Sequence, residues 1–114
     1  MPYARLFVDG SRLQVRGEVV RLQRVVPMAG MADGYALLLR NRAETFTVHL
    51  GPAWYLERQD FPFDVADSVE VSGSRVILAG QPVLMAIEVR KKGKVLLLRN
   101  SDGLPHWSAW RNER

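Results

Sequence analysis

Cysteine is absent from this 114-residue chain, and its absence excludes both a disulfide framework and thiolate metal or redox chemistry. Long apolar runs are missing as well, since none approaches the roughly 20 residues that a membrane-spanning helix needs. The first ten residues, MPYARLFVDG, carry a charge at Arg5 and have no apolar core, so no export signal is visible there. Internal repeats and linkers are also lacking. We therefore expect one domain over residues 1–114.

Catalytic motifs are equally scarce. The only histidines are His49 and His106, whereas a catalytic nucleophile needs a histidine or carboxylate base that a third group holds in place. The chain contains no nucleophile elbow, no phosphate loop and no zinc-protease motif. We therefore expect a protein that is not an enzyme, and we assign no catalytic residue.

The charges that are present give a weakly basic chain. Lysine and arginine total 16 against 12 aspartates and glutamates, for a net charge of +4, and thirteen of the sixteen cations are arginine. Hydrophobic residues make up 47% and charged residues 25%, which is close to ordinary globular usage. A charge of this size favours polyanions weakly and is also ordinary for solubility.

β-branched segments with alternating polarity fill most of the chain. The alternation changes phase around Gly17 and again across Gly73, as it does in strands that bend. In the third segment Val48 and Leu50 share one face, and His49 lies on the other. The predicted strands cover residues 13–26, 35–41, 44–50, 68–78, 82–89 and 94–100.

Only one helix is predicted, from Pro52 to about Gln59, because Gly51 can cap it and proline suits a first helical turn. A long bent first strand, and a helix between the third and fourth strands, is the order of the OB-fold, a five-stranded Greek-key barrel. We therefore predict an all-β, OB-fold-like barrel over about residues 13–99, with an extra C-terminal strand and a tail over residues 100–114. Val48 and Val71 should be buried, and Thr47 and Glu70 should face solvent.

Four stretches carry a resemblance to a known family: GEVVRLQRV, TVHLGPAWYLERQ, DSVEVSGSRV and HWSAWR. They resemble a family of small bacterial OB-fold proteins that are often exported, functionally uncharacterised and frequently labelled DNA-binding on grounds of fold. The resemblance spans nearly the whole chain, and it departs from the family at Ala66 and Ala109, where glycine is expected. It implies the fold and, if a signal peptide has been removed, a periplasmic location; a cytoplasmic location is the alternative. It implies no established chemistry.

The expected function is that of a non-enzymatic OB-fold binding or adaptor domain. Its candidate ligands are single-stranded nucleic acid, another polyanion or a protein partner, because OB barrels bind strands with a basic groove and stacked aromatic rings. The strands carry leucine and valine rather than exposed aromatic residues. The alternative interpretation is therefore that the arginines form a solvated surface without a ligand. The candidate ligand-binding residues are Arg40, Arg42, Trp54, Tyr55, Lys91, Lys92, Trp107 and Trp110, and Arg16, Arg21 and Lys94 are further candidate cations of the basic groove.

The aromatic candidates can also be interpreted as structural residues. Adjacent helical residues point about 100° apart, so we expect Trp54 to pack over Leu50 and Tyr55 to be exposed at the barrel rim. Trp107 and Trp110 are three residues apart, which suits either a recognition patch or a plug for an open barrel end.

An alternative function is the binding of a soft metal ion. Met28 and Met31 lie in the first hairpin loop and His49 ends the third strand, and two thioethers with an imidazole suit Cu(I). The idea also draws on resemblance, since one periplasmic copper chaperone is a small OB-fold that uses methionine, histidine and tryptophan. The competing reading places both methionines in an apolar loop contact and His49 on the strand surface.

Overall fold

The computed structural model describes residues 12–26, 30–78, 80–99 and 105. The predicted element order is confirmed, with three strands, a helix, two strands and a short last strand. The elements are β1 (Arg12–Val25), β2 (Gly34–Arg40), β3 (Thr45–Pro52), α1 (Ala53–Leu56), β4 (Ser68–Leu78), β5 (Gln81–Lys91) and β6 (Lys94–Leu97).

Hydrogen bonds close five of the strands into a ring. β1 pairs with β2 and β4, β2 pairs with β3, and β4 pairs with β5, all antiparallel. A short parallel pairing of β3 with β5, at Val48 with Leu84 and His49 with Met85, completes the ring. This is the predicted OB-like Greek-key barrel. β6 is the extra strand and pairs with the second half of β5.

The two predicted bends lie where the strands serve two neighbours. The register of β1 with β2 shifts between Val19 and Arg21, and the register of β4 with β5 shifts between Ser72 and Gly73. Gly17 precedes the first shift, and a Cβ there would lie 2.6 Å from the carbonyl oxygen of Arg40. Only glycine therefore allows β1 and β2 to approach this closely as the strand curves.

The barrel interior is aliphatic. Val48 and Val71 are fully buried, as predicted, and each such side chain contributes about 1.5–3 kcal/mol through burial. Thr47 and Glu70 lie on the opposite faces of their strands but are half-buried, so the prediction that they face solvent holds only in part. The other large side chains that are at most 2% exposed in the main core are Val19, Leu37, Leu39, Leu50, Val69, Leu84, Val89 and Leu98.

The helix is shorter than predicted. Its residues are Ala53–Leu56, and Pro52 is the last residue of β3 and the N-cap rather than part of the first turn. Turn hydrogen bonds continue to Gln59, whose N–H donates to the carbonyl of Leu56. The segment that follows returns to β1, where the N–H of Ala66 donates to the carbonyl of Val19 at 2.8 Å.

Candidate functional site

A row of side chains crosses the outer face of the sheet near one end of the barrel. Arg16 of β1 pairs with Glu70 of β4, Glu70 pairs with Arg90 of β5, and Arg90 pairs with Val95 of β6. Directly paired residues place their side chains on the same face of a sheet, within about 5.5 Å of each other at Cβ. The register therefore gathers two arginines around one glutamate.

The β5–β6 hairpin adds lysines to the end of this row. Its turn residues, Lys92 and Gly93, have φ angles of 51° and 81°, which is the left-handed conformation of a tight two-residue hairpin turn. Lys92 and Lys94 are both exposed. The turn thus projects two ammonium groups beside Arg90.

These residues line a surface depression with a volume of about 310 Å³. Five of its lining residues are cationic and one is acidic, so the depression is strongly positive. Its lining consists of Arg16, Ser68, Val69, Glu70, Arg90, Lys91, Lys92, Gly93, Lys94 and Val95.

The arginines of the depression are already partly neutralised. Arg16 lies 3.3 Å from the carboxylate of Glu70, and Arg90 lies 2.6 Å from that of Glu88. The hydrogen bond and the charge of Glu88 raise the pKa of Arg90 above its ordinary value. Within the described part of the chain, Lys92 and Lys94 form no ion pair. They are the cations that an incoming anion meets first.

Lys91 is a structural residue, although it was predicted to bind ligand. Its side chain is 9% exposed, and its ammonium group donates to the Asp67 carboxylate at 3.1 Å and to the carbonyl of Pro62. The rings of Phe61 and Phe63 lie 5.4 and 5.9 Å away. The backbone N–H of Asp64 and the ammonium of Lys91 both bond Asp67 and lower the pKa of its carboxyl group. Lys91 therefore ties the segment after α1 to β5.

The two arginines predicted at the β2–β3 hairpin lie close to the row but outside the depression. Arg40 ends β2, and both Arg40 and Arg42 are exposed. Between them, the amide of Asn41 donates to the carbonyl of Arg16 at 3.3 Å. This contact places the hairpin against β1 beside Arg16, so both arginines extend the positive surface.

The burial of Trp54 and Tyr55 is the reverse of the prediction. Tyr55 is 8% exposed, and its hydroxyl donates to the carbonyl of Leu97 in β6 at 3.4 Å. Burial raises the pKa of this tyrosine. Trp54 is half-buried, with its ring edge-to-face against Tyr55 at 6.0 Å and the guanidinium of Arg58 5.4 Å away. α1 turns Tyr55 inward because β6 offers its hydroxyl an acceptor over the barrel end.

The predicted metal ligands lie in different environments. Met31 is 40% exposed in the loop before β2, and Met28 lies outside the described residues. His49 is only 7% exposed, so its assignment to the strand surface is wrong. Its register neighbours are Ala36 in β2 and Met85 in β5. The described residues contain no group of three or more histidines, aspartates or glutamates arranged to hold a metal ion.

A buried arginine that was not predicted from the sequence contributes to the lowered pKa of His49. Arg99 is 2% exposed and donates to the carbonyls of Leu50 and Ala86, at 3.4 Å for Leu50. Desolvation, and secondarily the charge of Arg99, lower the pKa of His49. A fixed positive charge beside the imidazole also weighs against a metal cation there. An arginine after a short strand carries no sequence signal of burial.

Arg90 was also missed as part of the candidate site, whereas Lys92 and Lys94 were predicted. Arg90 alternates with Lys92 and Lys94 in the run RKKGK, and this spacing is the signal that could have found it. The predicted patch residues Trp107 and Trp110 lie outside the described residues, as does the tail except for Pro105, which forms a β-bridge with Arg99.

Comparison with known proteins places the chain in a family. The model of the MamS/MamX magnetosome protein family matches residues 11–96, which include β1 to β5, most of β6 and the basic depression. The chain belongs to the MamS/MamX magnetosome protein family. The predicted resemblance to a small bacterial protein family is therefore confirmed as family membership. No curated protein sequence matches the chain. Among the described residues, no helix has the length and apolar character needed to cross a membrane.

Proposed function

We propose that this MamS/MamX family member is a non-enzymatic binding domain that captures an acidic polymer on the basic depression beside the β5–β6 hairpin. One observation carries the proposal: the strand register brings Arg16, Arg90, Lys92 and Lys94 around a single hollow. Like charges repel one another, so gathering them costs stability unless an anion offsets the repulsion. Glu70 and Glu88 offset part of it, and Lys92 and Lys94 remain for a ligand.

The lining of the depression favours an acidic polypeptide over a nucleic acid. Binding of single strands depends on aromatic side chains that stack with the bases. The described lining contains no aromatic residue, and Trp54 and Tyr55 do not belong to it. Its apolar side chains are aliphatic, with Val95 44% exposed, and Leu97, two residues along the same strand face, 49% exposed. Cations beside aliphatic side chains match a segment that combines carboxylates with aliphatic residues.

The same lining supports a binding role rather than a catalytic one. Of the described residues that line it, Ser68 alone bears a hydroxyl group, and none is a histidine. The family is named for the magnetosome. A binding domain of a magnetosome protein would act as an adaptor that holds an acidic partner segment at that assembly.

The test is a titration of two labelled polyanions, poly-glutamate and oligo-dT, at several salt concentrations. We expect poly-glutamate to bind and its affinity to fall steeply with salt, because the contacts are between exposed charges. The double substitution Lys92→Asp/Lys94→Glu should weaken binding by about tenfold or more, which corresponds to about 1.4 kcal/mol. Aspartate is chosen at position 92 because it tolerates the left-handed turn conformation.

The matched control is Arg21→Glu. Arg21 is exposed on β1, outside the depression, and its side chain bonds only to Gln23 among the described residues. The Arg21→Glu variant should bind poly-glutamate with an affinity within about twofold of the wild type, because a distant surface charge acts only through a field that salt screens. Equal loss of affinity in both variants, or no poly-glutamate binding at low salt, rejects the proposal. Tighter binding of oligo-dT than of poly-glutamate overturns the choice of polypeptide.

A further inference from the structure

A second depression lies under α1, at the other side of the segment that Lys91 ties down. Its volume is about 280 Å³. Apolar side chains form most of its lining; among them, Leu22 of β1 is 38% exposed and Phe63 is half-buried. Tyr35, Leu56 and Phe61 contribute to the same lining. We call this depression the α1 groove.

The α1 groove is acidic where the hairpin depression is basic. Among the described residues, its charged lining consists of Glu57 and Asp60, and both are exposed. Glu57 is held in place by Arg24 at 2.7 Å and by the hydroxyl of Tyr35 at 2.9 Å. Asp60 forms no ion pair within the described part of the chain, so its charge is available to a partner.

We infer that the α1 groove of one copy of this chain receives the β5–β6 hairpin of a second copy. The two surfaces of the chain are complementary. The hairpin offers Lys92 and Lys94 beside the exposed aliphatic side chain of Val95, and the groove offers carboxylates beside an apolar floor. Opposite charges steer such surfaces together, and the aliphatic contact excludes water between them.

The hairpin docks on a second molecule because contacts within its own barrel hold it in place. Lys91, at the base of the hairpin, is held by Asp67 and Pro62, so the hairpin does not fold back into the groove of its own barrel. Groove and hairpin are different surfaces, so each copy offers both. A reciprocal exchange of hairpins closes a two-fold dimer, and a one-way contact joins copies head to tail; both forms of association grow with concentration.

The inference rests on the proposed function in one respect, the hairpin as the basic partner. In this assembly, the acidic groove of a neighbouring copy binds the same lysines that the proposed acidic ligand would bind. Poly-glutamate and self-association should then compete for Lys92 and Lys94, and added poly-glutamate should return the assembly to monomers.

Sedimentation velocity over a hundredfold range of protein concentration at low salt tests this assembly. We expect the wild-type chain to form dimers or larger oligomers as its concentration rises. Asp60→Lys should abolish association through the groove, and Lys92→Asp/Lys94→Glu should abolish it through the hairpin. An equal mixture of these two variants should associate again, because the native contact survives between the hairpin of the first and the groove of the second.

The matched control is Asp64→Lys, an exposed carboxylate four residues from Asp60 that does not line the groove. It should associate like the wild type. A wild type that stays monomeric throughout the range overturns the inference, as does association that survives Asp60→Lys. The Asp60→Lys variant separates the two proposals. This variant should lose association and still bind poly-glutamate. A wild type that associates but does not bind poly-glutamate would reject the proposed function alone.

Discussion

Ala66 holds a backbone conformation that its side chain disfavours. Its φ angle is 75°, in the left-handed region, and its N–H bonds the carbonyl of Val19 where the segment after α1 rejoins β1. Left-handed backbone costs a residue other than glycine about 1–2 kcal/mol. The family resemblance led to an expectation of glycine at this position, and the structure shows the conformation for which glycine is suited.

The substitution Ala66→Gly should therefore stabilise the protein. Relief of the backbone strain exceeds the extra chain entropy that glycine gives the unfolded state, and the free energy of unfolding should rise by about 0.5–1 kcal/mol. Urea denaturation measures the change. Ala43→Gly, in the exposed β2–β3 hairpin at a residue without positive φ, is the control and should bring no gain. A less stable Ala66→Gly protein would mean that the methyl group of Ala66 makes contacts worth more than the strain.

At the scale of the element, α1 acts as a one-turn lid whose inward residue is Tyr55. Its hydroxyl reaches the carbonyl of Leu97, so the lid is fastened to the edge of β6 as well as to the core. Trp54 covers Tyr55 from outside. A helix of four residues has little stability of its own, and the lid depends on this packing.

Tyr55→Ala should cost more stability than Trp54→Ala. Truncation of a buried aromatic side chain typically costs about 3–5 kcal/mol, and the half-buried Trp54 should cost roughly half as much. Tyr55→Phe is the control, since it keeps the ring and removes one long hydrogen bond, worth about 1 kcal/mol or less. Chemical denaturation ranks the three variants. A larger loss for Trp54→Ala would restore the order expected from the sequence.

Lys91 shows how one side chain decides what an element can do. It occupies a basic run that marks a candidate ligand site, yet its ammonium group faces the segment after α1 rather than solvent. That contact places the hairpin and the α1 groove on the two sides of one fixed segment. The remaining lysines, Lys92 and Lys94, are presented outward because the hairpin turn follows Lys91 directly.

At the scale of the whole molecule, the burial of His49, together with the charge of Arg99, links folding to pH. The folded-state pKa of His49 lies below its ordinary value, so the fold favours the neutral imidazole. As pH falls below about 6.5, the unfolded chain takes up a proton that the folded chain refuses, and stability declines until the pH passes the folded-state pKa. Above about pH 6.5 this contribution is complete.

The free energy of unfolding should therefore decrease from pH 7 towards pH 5, with a slope of up to about 1.4 kcal/mol per pH unit from this residue. His49→Gln removes the titrating group and should flatten that part of the profile, whatever its effect on stability at pH 7. Urea denaturation at half-unit pH intervals provides both curves. Parallel profiles for the two proteins would show that His49 does not govern the acid loss.

Much of the fold followed from local pattern. Alternation predicted all six strands to within a few residues, and the changes of phase near Gly17 and Gly73 marked two of the three register shifts in the described strands. The third shift, at Tyr35 and Ala36 in the pairing of β2 with β3, was not predicted. Alternation works because side chains on a strand point to opposite faces in turn, so a barrel with one interior imposes a period of two. The position of the helix after β3 completed the topology.

The candidate site depended instead on long-range register, which local pattern does not contain. Arg16 and Arg90 are 74 positions apart in the chain and come together only because both strands pair with Glu70 of β4. His49 shows the same limit, since alternation put it on a solvent face, whereas the structure buries it and the charge of Arg99, 50 positions later, acts on it. The sequence by itself determined which faces are apolar and where the chain turns. Tertiary structure decided which polar side chains are buried, because burial depends on what packs against a face from distant parts of the chain.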